Sequence, residues 1–192
     1  MALRRDSQTS WLSVYPVRET TQNWPANKAV YVNTGGSIGH QCAQFKAAFP
    51  NASGRVILQD LPHSIAQALR TPGVENMAHD FWEPQPVVGA KFNFLRGVLH
   101  NRPNHKVLKL LGATKDAMRA ESVLLVDEMI LPEMGVNVDT AALDLTMVSA
   151  FASVERTERQ WSGLFQRAGL RLVQTYVYNE GGYESVMDVR LA

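Results

Sequence analysis

Short apolar runs, each followed by a turn and then by residues at 3.6-residue spacing, recur along this chain. That alternation narrows the available folds more than any other feature. The run 29–32 ends in a glycine turn, after which Ile38, Cys42, Phe45 and Phe49 fall at helical offsets, predicting a helix over 38–48. The run 55–60 is a second strand, and Pro62 sits where a first helical turn tolerates proline, with Ile65, Ala68 and Leu69 continuing an amphipathic face. Strands three and four are predicted at 74–79 and 90–95, separated by the proline-punctuated loop 83–86. Between 103 and 118, Val107, Leu110, Leu111 and Met118 share one helical face while Lys106, Lys109, Lys115 and Asp116 fall elsewhere. The continuous apolar run 123–126 suits a central parallel strand covered on both faces. Two further helices are predicted at 138–152 and 157–168. The second carries Trp161, Leu164, Phe165 and Ala168 on one face and is ended by Gly169. Residues 170–178 and 184–191, around Gly181 and Gly182, read as a terminal hairpin. The order predicts an α/β fold, a doubly wound and mostly parallel sheet closed by an antiparallel hairpin. Residues 1–27 are polar, with Trp11, Tyr15 and Trp24 as isolated anchors, and read as an N-terminal arm ahead of one domain over 28–192.

Composition removes several functions. With 19 basic against 18 acidic residues and no long basic run, the chain lacks the electrostatic footprint of a nucleic-acid binder. No window approaches 18 apolar residues, and the two arginines near the start are not followed by an apolar segment. Neither membrane insertion nor secretion is therefore expected, and a cytoplasmic location is. The single cysteine, Cys42, cannot form an internal disulfide and reads as a small buried filler on a helix. Of five histidines, only His100 and His105 come near a metal-ligand spacing, so no metal is expected.

In a doubly wound sheet, ligands bind outside the carboxyl ends of the strands. The residues there form a coherent set: Gly35 and Gly36 after strand one, Asp60 after strand two, Asp80 and Phe81 after strand three, Arg96 and His100 after strand four, and Glu128 after strand five. Acids at the ends of strands two and three suit ribose hydroxyls and an adenine amino group, and Phe81 suits the adenine face. The turn itself, VNTGGSIGH over 32–40, does not spell G-x-G-x-x-G and contains no P-loop lysine, so the pattern is nucleoside-like without a phosphate cradle.

The stretches LQDLPHSI, GVENMAHDFWEPQPVVGAKFNFLRGVLHN, LLVDEMILPEMG, DLTMVSAFASVERTERQW and LFQRAGL carry a resemblance. Together they resemble the catalytic domain of fungal S-adenosylmethionine-dependent O-methyltransferases related to the plant caffeic acid type, from about Trp11 to Ala192. The resemblance implies a Rossmann-like class I methyltransferase fold and methyl transfer from S-adenosylmethionine to a hydroxyl of a small phenolic or enolic secondary metabolite. It implies that Gly35 and Gly36 approach the cofactor's amino acid moiety, Asp60 binds the ribose, Asp80 and Phe81 the adenine, and that Arg96 is a basic cofactor contact. His100 would be the general base, oriented by Glu128 and Glu155. The chemistry agrees, since a phenol of pKa about 10 is mostly neutral at pH 7 and an imidazole of pKa near 6.5 can take its proton as the new bond forms.

Three departures accompany the resemblance. The family's opening pattern is close to V-D-V-G-G-G-x-G-H, so Asn33 stands for an aspartate and Ser37 for a glycine. The expected effect is weakened cofactor binding. Its H-D-W-P-D becomes His100-Asn101-Arg102-Pro103-Asn104, which places a cation beside the imidazole or out in solvent. The chain also begins just upstream of the cofactor domain, whereas family members carry an N-terminal dimerisation domain. Pairing, as a homodimer or with a longer homologue, is the expectation. The residues leave other readings open. Asp60 suits a helix cap before Pro62, Glu155 a charged helix entrance beside a Thr157–Gln160 capping box, and the whole chain a degenerate relative that binds a metabolite, catalyses a non-methylating rearrangement or acts as a non-catalytic partner.

Overall fold

The computed structural model of the protein describes residues 10–192, so the part of the arm reading that concerns residues 1–9 lies outside the described residues. Its strands are β1 (Ala29–Thr34), β2 (Arg55–Asp60), β3 (Val74–Ala78), β4 (Phe92–Arg96), β5 (Val123–Leu131), β6 (Arg156–Thr157), β7 (Leu170–Asn179) and β8 (Glu184–Leu191). Its helices are α1 (Val17–Thr20), α2 (His40–Ala48), α3 (Pro62–Ile65), α4 (Asn104–Ala117), α5 (Val138–Phe151) and α6 (Glu158–Arg167). The sheet order is β3-β2-β1-β4-β5-β8-β7, with the two-residue β6 paired alongside β5. All pairings from β3 to β5 are parallel, while β8 runs antiparallel to both β5 and β7. This is the doubly wound sheet with a terminal hairpin that the alternating pattern predicts. Strand order reverses between β1 and β4, which puts a crevice at the carboxyl ends of those two strands.

Each face of the sheet has its own core. On one, Tyr31, Phe45, Phe92 and Phe94 pack with Trp11 and Tyr15; on the other, Leu95, Leu110, Leu111 and Val126 pack with Trp161 and Phe165 from α6. Trp11 opens a 3-10 turn capped by Ser10 and is fully buried, its ring 4.9 Å from that of Phe94 and stacked on Tyr31 at 5.9 Å. Two aromatic side chains read from the sequence as isolated anchors are thus core residues. Cys42 is buried as expected, and burial pushes its thiol up to about 12.

Two local expectations change. The helix after β2 is a single turn and does not run on to Leu69. The amide of Leu69 donates to the Ile38 carbonyl at 2.9 Å, drawing the chain towards the turn after β1, and Pro72 follows closely behind. Strand β5 extends to Leu131, beyond the apolar run 123–126, because Asp127 and Glu128 are both fully buried. Their partners, described below, make burial of acids tolerable. The capping box is formed: the Thr157 side chain accepts from the Gln160 amide and the Gln160 side chain from the Thr157 amide.

Candidate active site

The turn after β1 is built from conformations that side chains disfavour. Gly35 and Gly39 lie at φ +70° and +97°, and Ser37 between them is also left-handed at +53°. A Cβ on Gly36 would overlap the Asn33 side chain and come within 2.6 Å of Leu58 Cδ1. A Cβ on Gly35 would meet Val98 Cγ2 at 2.9 Å and the Phe81 ring at 3.7 Å. Both glycines are therefore fixed by close approach. Asn33 is only 1 % exposed and lies beneath Gly36. The change from aspartate acts under the turn and not on its open surface.

Ser37 pays for its conformation in strain. A left-handed residue bearing a Cβ costs roughly 1–2 kcal/mol. Replacement by glycine relieves this but adds unfolded-state freedom worth about 0.4–1 kcal/mol. Ser37→Gly is expected to stabilise the protein by roughly 0.5–1 kcal/mol, a rise of about 1–4 °C in a thermal melt for a chain of this size. An unchanged or lowered midpoint would show that the strain is absent.

Asp60 closes the turn. One carboxylate oxygen accepts the Ser37 amide at 2.7 Å and the other the Leu61 amide at 2.8 Å. No side chain caps α3, so Asp60 serves the glycine turn and not the helix. Each oxygen keeps a lone pair for a further donor. Asp80 accepts the Trp82 amide at 3.0 Å, which orders the turn that sets Phe81 against Gly35.

Below these acids is a buried amide clamp that sequence reasoning missed. Gln59 and Gln85 bond reciprocally at 2.8 Å in both directions, and Thr34 donates to Gln59 at 2.9 Å. Thr34 precedes Gly35, Gln59 precedes Asp60, and Gln85 lies in the loop after Asp80. One network thus ties together the three segments that carry the nucleoside-type residues. The glutamine in the loop 83–86 was visible, but a loop glutamine carries no signal of burial.

The imidazole lies on the neighbouring loop. His100 is 4 % exposed and its Nδ1 is 2.8 Å from Glu155 Oε1. With Nδ1–H donating to the carboxylate, Nε2 is the nitrogen left to take a proton. Glu128, expected to orient the ring, holds the backbone of this loop: its Oε1 accepts the amides of Leu99 at 3.0 Å and His100 at 3.4 Å. Val98, two residues before His100, is the side chain that meets Gly35, so the imidazole loop and the glycine turn share a wall. Arg96 points elsewhere. Its guanidinium pairs with Asp127 at 2.9 Å and Glu184 at 3.5 Å, where Tyr178 also donates to Asp127 at 2.7 Å. Arg102 is half-buried, its guanidinium 5.9 Å from the Phe81 ring centre and 5.8 Å from that of Trp82. Asn101 donates to the Gly97 carbonyl at 3.1 Å, a backbone contact within the same loop. The structure therefore brings Gly35, Gly36, Asp60, Asp80 and Phe81 to one rim, sets His100 with Glu155 and Glu128 beside it, and leaves Arg96 in a separate ion-pair network. No group of three or more metal-ligating side chains occurs among the described residues.

The O-methyltransferase domain family matches over residues 26–171. Demethylsterigmatocystin 6-O-methyltransferase stcP of Emericella nidulans is 41% identical over 190 residues, covering 98% of this chain and 92% of its own. A solved structure described as a pericyclic reaction enzyme is 39% identical with TM-score 0.94, covering 99% of this chain and 50% of that one. A structure of LepI in complex with S-adenosylmethionine is likewise 39% identical, with TM-score 0.93 over 98% of this chain and 50% of that one. The chain spans about half the length of most of the curated relatives it matches.

Proposed function

The chain belongs to the O-methyltransferase domain family, and from that premise we propose that it binds S-adenosylmethionine at the rim of β1 and β2 and transfers its methyl group to a hydroxyl of a small phenolic or enolic metabolite, with His100 as base. The observation that carries this reading is the His100–Glu155 pair at 2.8 Å on a loop that packs through Val98 against the Gly35 turn. The residues fit the nucleoside half of the cofactor. Asp60 and Asp80 are carboxylate acceptors with lone pairs left over, suited to vicinal hydroxyls and an exocyclic amine. The cofactor, when bound, supplies a methyl group on a sulfonium. The chain's own residues do the rest: Asp60 orients the sugar, Phe81 covers the base, Glu155 fixes the imidazole tautomer, and Nε2 of His100 takes the hydroxyl proton.

A second reading is favoured by one observation, the 39% identity to a pericyclic reaction enzyme. In it the same hollow and imidazole promote a rearrangement of a bound metabolite without methyl transfer. Pairing with a second chain, as a homodimer or with a longer homologue, is supported by the exposed Met134, Val138, Leu145 and Val148 on and before α5. Among the described residues no helix is long and apolar enough to cross a membrane.

Titration calorimetry with S-adenosylhomocysteine tests the shared premise. Saturable binding is expected, and Asp60→Ala should weaken it by about tenfold or more, the loss of one charge-assisted hydrogen bond. No heat at millimolar ligand would remove the methyl-transfer reading. Binding without transfer to any of a panel of phenols would favour the rearrangement.

A further inference from the structure

Arg156 has no role in the site as derived above, yet it is among the largest side chains buried in the protein, at 2 % exposure. Its guanidinium donates to the Arg102 carbonyl at 2.8 Å, to Asn104 Oδ1 at 2.9 and 3.2 Å, to the Leu99 carbonyl at 3.5 Å and to the Val154 carbonyl at 3.3 Å. It lies 4.9 Å from the Trp161 ring centre. Three of those five contacts are on backbone or side chain of residues 102–104, and a fourth is on the residue before His100. Ser153 closes the same loop from the other side, donating to the carbonyls of His100 and Arg102. The loop carrying the imidazole is thus gripped by the segment 153–156, whose own Glu155 holds the ring.

Charge matters as well as grip. Glu128 and Glu155 are both buried, and both lie within electrostatic reach of Arg156. A carboxylate on the ring, Glu155, and a second at the ring's own backbone, Glu128, both favour the protonated imidazole, which is the wrong state for a base. A buried guanidinium beside them offsets that pull. Of the charged groups nearby, Asp144 of α5 accepts the Glu155 amide at 2.7 Å, and the Arg102 guanidinium is turned onto Phe81 and Trp82.

We infer that Arg156 is a positioning residue for His100: by holding the carbonyls of Leu99 and Arg102 and offsetting Glu128 and Glu155, it sets both the place and the proton affinity of the imidazole. The inference concerns the ring itself. Its catalytic consequence rests on His100 being the base.

Histidine ring resonances followed by NMR through a pH titration test this without turnover, with the His100 signal assigned by its loss in His100→Gln. Arg156→Gln removes the charge, so the protonated ring is favoured and the midpoint should move up by about one pH unit. Arg156→Lys keeps the charge but not the fork of donors. Its midpoint should stay within a few tenths of wild type, while amide exchange across 99–104 accelerates at least tenfold. Should Arg156→Gln fail to fold, the lysine variant alone decides, because unchanged protection of 99–104 would overturn the grip. An unmoved midpoint in a folded Arg156→Gln would overturn the charge role. If the midpoint moves but His100→Ala still transfers methyl at the wild-type rate, the base assignment falls while this inference stands.

Discussion

Trp11→Ala is expected to lower stability by about 3–5 kcal/mol, the range for removing a fully buried tryptophan, which for a chain of this size means a fall of roughly 6–20 °C in the thermal midpoint. The indole packs against Tyr31, Phe45 and Phe94 from three different elements, with Tyr15 at its edge. Its Nε1 has no hydrogen-bond partner among the described residues, so the loss is one of packing. Collapse around the void is resisted, because Tyr31 and Phe94 sit on paired-sheet backbone that cannot move independently. Tyr15 adds a second tie, its hydroxyl donating to Asp188 of β8 at 2.9 Å. A chemical denaturation curve checks the figure. A loss under 1 kcal/mol would mean that the segment before β1 is dispensable to the core.

That prediction marks where the sequence is readable and where it is not. The alternation of strands and helices was legible because each central strand, β5 above all, is buried on both faces and writes itself as an apolar run. Residues at the strand ends were legible for the same reason, since a doubly wound sheet fixes in advance which end binds. The left-handed conformation of Ser37 could be suspected only from the glycine that the family pattern has there. What stayed hidden was long-range polar pairing. Nothing local distinguishes Arg156, buried against a loop more than 50 residues earlier, from the other charges in V-E-R-T-E-R, and nothing distinguishes Gln85 from a solvated loop residue. Arg96 misled for a related reason. Its position at a strand end is correct, but its direction is set by Asp127 and Glu184, which only the folded sheet places beside it.

The other large effect belongs to His100. His100→Ala should reduce methyl transfer by roughly 10² to 10⁴, the span of a lost general base, while affinity for S-adenosylhomocysteine stays within about twofold, because the imidazole bonds to Glu155 and not to Asp60 or Asp80. Transfer of a labelled methyl group to a panel of phenols, read beside calorimetry on the same preparation, separates the two quantities. Glu155→Gln sharpens the assignment. The carboxylate favours the imidazolium, so its neutral replacement lowers the proton affinity of the ring and shifts the acidic limb of the rate profile to lower pH, opposite in sign to the shift expected of Arg156→Gln. The plateau should fall at the same time, since an amide can offer its own N–H to Nδ1 and so favour the wrong tautomer. Transfer by His100→Ala within threefold of wild type would assign the proton to water or to the acceptor's own acidity. The imidazole would then be a structural plug between two loops, and Glu155 and Glu128 would be holding the wall of the hollow and not its chemistry.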